Sequence, residues 1–186
     1  MSFRPASIKV RALQWLSQRE HSRTELRRKL LRLLTHDARV RPQVPSDALT
    51  GHTQNLDSGI EAPDPALEVD ALLHWLELHG HLSDARFVES RVHARQARFG
   101  GLRIRQELKQ HGLTLDADAH EALRQTEEQR ARAVWRRKYA EPAADVKARL
   151  RQMRFLAGRG FSPDVVRQVV LGRASADDDI AAPDDT

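Results

Sequence analysis

The chain contains no cysteine, which excludes disulfides, thiol nucleophiles and thiolate metal sites from its chemistry. Aromatic residues make up only 5% of it. Nowhere do the roughly 18 apolar residues of a membrane helix run together, and MSFRPASIKV at the start lacks the apolar stretch and cleavage site of a secretory leader. A cytoplasmic location is the expectation. Alternating β-branched runs are also missing, whereas Leu, Ala, Arg, Glu and Gln dominate, which favours helix throughout. The fold class read from this is all-α, in a chain of 186 residues that suffices for one or two ordinary domains. No P-loop, Ser/His/Asp arrangement or paired-carboxylate site stands out, so no enzyme activity and no cofactor are expected.

What the chain does have is arginine, at 26 of its 31 basic positions, within a net charge of +5. The charge is unevenly spread: residues 1–37 and 66–173 each carry +6, 38–65 carry −2 and 174–186 carry −5. Pro42, Pro45, Pro63 and Pro65, with Gly51, Gly59 and Asn55, leave residues 38–65 without helical period, so they read as a flexible insertion. The segment ASADDDIAAPDDT, residues 174–186, is too acidic and too poor in bulky apolar side chains to pack, and reads as a disordered tail.

The basic parts have helical order. HSRTELRRKLLRL, residues 21–33, puts Leu26, Leu30 and Leu33, followed by Leu34, on one helix face. Ser22 followed by Glu25 fits a capping box, so the helix starts near Arg23. A shift of 120 residues lays Trp15 on Trp135, Glu25 on Asp145, Leu26 on Val146 and Leu30 on Leu150. A shift of 48 lays HGLTLD, residues 111–116, on RGFSPD, residues 159–164. In these corners Gly112 and Gly160 suit the left-handed position after a helix, and Pro163 suits the first turn of the next.

These recurrences predict a three-helix unit used three times. The first has helices over 8–20, 23–34 and 67–79, the second over 84–99, 102–111 and 117–125, and the third over 127–140, 145–159 and 163–171. The matching domain limits are 1–37, an insertion 38–65, 66–82, then 83–125 and 126–173, before the tail. Units stacked in line form an elongated, curved body suited to lying along another long object. Leu26, Leu30, Phe87, Ile104, Leu108, Leu150, Phe155, Leu156 and Phe161 are the expected core. Trp15, Trp75 and Trp135, beside Leu16, Leu76 and Val134, read as buried rather than as base-stacking platforms. The histidines His74, His79 and His81 lack the i, i+4 spacing of a helical zinc site, so no metal is expected. Phe99, Gly100 and Gly101 precede a helix start that could hold a phosphate, but two glycines read better as a chain corner.

A basic stripe runs through Arg91, Arg95 and Arg98, then Arg103, Arg105 and Lys109, and on to Arg149, Arg151 and Arg154. Arginine's planar fork suits phosphate and carboxylate, which points to an anionic partner. Four segments within this stripe and before it, SQREHSRTELRRKL, GHLSDARFVESRV, RFGGLRIRQELKQHGL and RFLAGRGFSPDVVRQVV, occur in the order of the successive signatures of the RecX family of regulatory proteins. The chain resembles that family over residues 8–171, departing from it in the long segment 35–66 and in the acidic tail. The resemblance implies tandem three-helix repeats, no catalysis, and binding in the groove of the RecA filament on DNA, with single- and double-stranded DNA met through the basic face. It further implies restraint of RecA's ATP hydrolysis, strand exchange and coprotease activity.

Position within the matching motifs implies a filament-facing set of Arg19, Arg23, Arg27, Arg28, Arg91, Arg98, Arg103, Arg105, Lys109, Arg154 and Arg159. Two other functions fit a small, basic, helical chain. A helix-turn-helix transcription factor would carry one polar base-reading helix rather than a stripe across three units. A helical adaptor for protein alone would need no such charge. Segment 35–66 also reads as a hinge through which the first two helices could dock on their own chain or on a second copy, giving a monomer or a domain-swapped dimer.

Overall fold

A computed structural model describes residues 7–40, 64–139 and 141–172, and all regular structure among them is helical. The order is α1 (Ile8–Gln18), α2 (Arg23–Val40), α3 (Pro65–Leu78), α4 (Asp84–Gln96), α5 (Gly101–Lys109), α6 (Ala117–Gln125), α7 (Glu127–Arg136), α8 (Val146–Ala157) and α9 (Pro163–Leu171). The chain divides into two compact units, Met1–Phe87 and Val88–Thr186.

Short polar side chains begin most of these helices by accepting a backbone N–H that the first turn leaves bare. Ser7 accepts from Val10, Ser22 from Glu25, Asp64 from Ala66, Asp116 from Ala119 and Asp145 from Ala148. The start of α2 has a second anchor, because the Arg23 N–H donates to the Asp84 carboxylate at 2.9 Å. The start of α4 itself is capped by the Ser83 hydroxyl, which accepts from the Arg86 N–H at 3.3 Å.

Three helix ends share one device. Gly80, Gly112 and Gly160 have φ of 70°, 74° and 78°, the left-handed region that costs other residues about 1–2 kcal/mol. After each glycine the next N–H returns to a leucine carbonyl: His81 to Leu76 at 2.8 Å, Leu113 to Leu108 at 3.1 Å, and Phe161 to Leu156 at 3.4 Å. These are Schellman turns, and the three leucines that accept are fully buried. The chain turns where its helix is pinned to the core.

In the first unit Ala12, Leu26, Leu30, Val69, Leu73, Leu76 and Leu82 form the core. The second unit gathers Ala131, Val134, Leu156, Phe161, Val166, Val169 and Val170. Burying a leucine of this kind stabilises by about 1.5–3 kcal/mol.

Several sequence expectations are corrected. Helix α2 continues to Val40, beyond the expected end at 34, because nothing in THDARV stops it before Pro42 disfavours helix in the residue ahead. The expected insertion loses residues 38–40 and Pro65 to the helices on either side. The expected hinge likewise loses 35–40 and 65–66 to these helices, and apart from the cap Asp64 the remainder of both, residues 41–63, lies outside the described residues, as does the acidic tail. Helices α4, α5, α7 and α8 end short of their expected limits, at Gln96, Lys109, Arg136 and Ala157. Leu150 is 47% exposed rather than in the core, and its neighbour Val146 is 68% exposed. The cause is register. In α2 and α5 the buried pairs Leu26/Leu30 and Ile104/Leu108 begin four residues after the caps Ser22 and Gly100, whereas in α8 the pair Gln152/Leu156 begins seven after Asp145. An extra N-terminal turn of α8 thus projects beyond the core. Gln152 occupies a position where the other two helices bury an aliphatic residue, and the Trp135 Nε1–H satisfies it at 3.0 Å. Phe155 is half-buried, its ring edge-on to Tyr139 with Lys138 and Arg159 over it.

The tryptophans are half-buried rather than buried. Lys29 lies 4.2 Å from the Trp15 ring centre and Lys9 3.4 Å from that of Trp75. His79 and His81 stack on Trp75, and His79 Nδ1 lies 2.8 Å from the Trp75 carbonyl oxygen.

Candidate functional site

Within the second unit, the corner between α4 and α5 is built from glycine for a steric reason. Gly100 N–H donates to the Arg159 carbonyl at 3.0 Å, and Leu102 N–H to that of Gly160 at 3.1 Å. A Cβ on Gly100 would stand 2.2 Å from the Gly160 oxygen, and one on Gly160 would stand 2.5 Å from the Arg103 Cβ. Two backbones therefore dock directly. The first free N–H of α5, on Gly101, donates to the buried Glu127 carboxylate at 3.0 Å. With Glu127 and the Gly160 carbonyl on its first turn, this helix start serves as a corner, as expected, and has a carboxylate where a bound phosphate would sit.

Arg130 locks the corner from beneath. Its guanidinium donates to the carbonyls of Gln96 at 3.0 Å, Phe99 at 2.9 Å and Leu123 at 2.7 Å, and burial lowers its pKa. This arginine closes orphan carbonyls at the ends of α4 and α6, so it belongs to the fold and not to a binding surface.

Above the locked corner, Phe99 forms a platform for cations. The guanidinium carbons of Arg103, Arg95 and Arg98 lie 4.9, 5.5 and 6.0 Å from its ring centre. Glu107 is the carboxylate among them, 3.0 Å from Arg95 Nε and 3.6 Å from Arg103 Nε. Arg91, Arg95, Arg103, Gln106, Glu107, Gln110 and His111 line a crevice of about 430 Å³ between α4 and α5. Three arginines against one glutamate leave it cationic, and its glutamines add neutral hydrogen-bonding groups. Such a crevice can hold phosphate or carboxylate oxygens by charge-assisted hydrogen bonds. It shows no nucleophile with an adjacent general base.

The sequence-implied residues are placed in three ways. In the first unit, Arg19 bonds Glu25, Arg23 bonds Glu77, and Arg27 grips Asp70 at 2.7 and 3.0 Å. The Arg27 contact holds the Asp70 carboxyl below its ordinary pKa. Arg23 and Arg27 thus join α2 to α3. In the second unit, Arg98 and Arg103 meet on Phe99, Arg91 lines the crevice with Arg103, Arg105 turns to His120 Nε2 at 2.9 Å, and Arg159 lies 4.1 Å over Phe155. Arg28, Lys109 and Arg154 make no side-chain bond or ring contact among the described residues. Phe99, Gln106, Glu107 and Gln110 were missed as members of a site. The spacing of Arg91 with Arg95 and of Arg103 with Glu107, each i and i+4, was the available signal.

Comparison with known proteins agrees with this architecture. Residues 83–123 match the family model "RecX, second three-helix domain", and residues 126–170 match "RecX, third three-helix domain". The chain is 46% identical to the regulatory protein RecX of Leptothrix cholodnii, over 88% of its own length and 87% of that protein's. It is 41% identical to the regulatory protein RecX of Ralstonia nicotianae, over 94% and 93% of the two chains. Against the regulatory protein RecX of Pseudomonas putida KT2440 the identity is 35%, over 91% and 92%.

Proposed function

Because the chain belongs to the RecX family of regulatory proteins, we propose that it binds the RecA filament on DNA and restrains RecA's ATP hydrolysis, strand exchange and coprotease activity. The observation that supports an anionic, filament-like partner is the α4–α5 surface, where Arg95, Arg98 and Arg103 share the Phe99 ring and Arg95 and Arg103 divide the one carboxylate of Glu107. We take the crevice and the adjoining Phe99 platform as the main contact, with Arg91 and Arg103 lining the crevice and Arg98 on the ring as the members from the motif-implied set. Arg28, Lys109, Arg154 and Arg159 add charge without a carboxylate of the fold to compete for it. Arg105 faces His120 and contributes less directly. Arg19, Arg23 and Arg27 contribute least, since each would give up a carboxylate that no second arginine shares, whereas Arg103 has Glu107 in common with Arg95. No helix among the described residues is long and apolar enough to cross a membrane, in keeping with a partner met in solution.

The test is the DNA-dependent ATPase rate of RecA from the same organism, with this protein added well below one copy per RecA. Inhibition that extra free DNA does not relieve supports action on the filament. Binding to bare DNA with no inhibition would limit the basic surface to DNA alone, and ten-fold preference for one DNA sequence would favour a transcription factor.

A further inference from the structure

Elsewhere in the second unit, Arg132, Arg136 and Arg149 rim a cavity of about 290 Å³ whose apolar base includes Trp135 and the buried Val169 and Val170. Arg132 is paired with Glu128, but Arg136 and Arg149 make no side-chain hydrogen bond or ion pair among the described residues. The groove is therefore cationic at its rim and apolar at its base. Gly172 also lines it, and from Gly172 the chain leads into the acidic segment.

Three features match that segment to that groove. Gly172 has φ of 65°, the left-handed cap that turns a chain off its helix axis, so the chain leaves the axis of α9 at the groove itself. Asp177 is five residues further on, within about 17 Å of extended chain. The segment then offers Asp177, Asp178 and Asp179 followed by Ile180, its one bulky aliphatic residue, which is the order of an anionic rim contact and an apolar floor contact. We propose that residues 177–180 dock in the groove of their own unit, with aspartates on Arg136 and Arg149 and Ile180 against the apolar floor. The docked segment withholds those two cations from any external polyanion, at low salt more than at high. This inference stands independently of the RecA reading.

The absence of cysteine gives a clean experiment on the full chain. A nitroxide attached through Ala182→Cys should strip most of the intensity from the Trp135 indole N–H resonance at low salt, while Trp15 and Trp75 keep theirs. Neutralising the contact by Asp177→Asn, Asp178→Asn and Asp179→Asn together should restore the Trp135 signal with the same tether length. Arg136→Gln with Arg149→Gln should restore it with the acidic segment unchanged. Equal attenuation with and without the aspartates would overturn the proposal, because tether proximity alone would explain it. Attenuation seen only when spin-labelled and isotope-labelled chains are mixed would also overturn it, assigning the groove to a second copy.

Discussion

The motif-implied arginines of the two units meet different partners. In the first, Arg19, Arg23 and Arg27 terminate on Glu25, Glu77 and Asp70, and Arg86 binds Glu20 while donating to the carbonyls of Gly80 and His81. These side chains hold helix starts and corners together. In the second, Arg95, Arg98 and Arg103 crowd one phenylalanine ring with a single glutamate between them, and Arg159 lies on another. A ring carries no net charge, so Arg98 and Arg159 keep their pull on an external anion, while Arg95 and Arg103 have one carboxylate between the two of them. A count of arginines along the sequence therefore says little about where a polyanion would bind; what each guanidinium already touches says more.

The comparison breaks most completely if the platform under the second set is removed. Gly100→Ala drives a Cβ into the Gly160 carbonyl, so the α4–α5 corner cannot stay docked. A loss of about 3 kcal/mol is expected, from overpacking and the two backbone bonds at stake. Urea unfolding followed at Trp135 measures it, and a change of a few tenths would show that the corner gives way freely. Next in size is Arg130→Met. It strands the carbonyls of Gln96, Phe99 and Leu123 and should cost about 2 kcal/mol, with weakened filament binding because Phe99 is no longer held. Unchanged amide protection at Phe99 would contradict this role.

A smaller effect sharpens the contrast from the first unit. His21 is 2% exposed, and burial, aided by Arg19 and Lys29 and opposed by Glu25, lowers its pKa from 6.5. Its Nδ1 lies 3.2 Å from the Glu25 carboxylate without the alignment of a hydrogen bond. Just below pH 6.5 the unfolded chain therefore binds more protons than the folded one. Stability from this group is complete above that pH and falls as the pH drops through it. His21→Gln should flatten the decline seen in urea midpoints between neutral and mildly acidic pH. An equally steep decline in the variant would place the titrating group elsewhere.

Much of the fold was legible because its signals are local. Helices α6 and α9 run over the residues their patterns indicate, and Gly112 and Gly160 take the left-handed turns their place after a helix requires. The repeat at a shift of 48 is borne out in packing, since it lays the buried pair Ile104/Leu108 on Gln152/Leu156. The shift of 120 found the matching helices but in the wrong register, because the added turn of α8 changes no residue type that periodicity can detect. Arginine partners were illegible for a simpler reason. Arg23 meets Glu77 and Arg27 meets Asp70 across an insertion, and no spacing rule links residues so far apart. The Phe99 platform was hidden because the ring lies in a corner between two helices, outside either pattern.

The most direct measurement is the salt dependence of binding to RecA filaments on DNA for two matched double variants. Arg98→Gln with Arg103→Gln removes cations from the Phe99 platform and the crevice beside it, and Arg23→Gln with Arg27→Gln removes the same charge from the first unit. If the crevice is where the filament sits, the first pair should lower the slope of log affinity against log salt by about two, near one for each phosphate left without its arginine. The second pair should leave the slope unchanged. Equal reductions from both pairs would contradict the account, since they would mean that net charge, not what each arginine already touches, determines the binding.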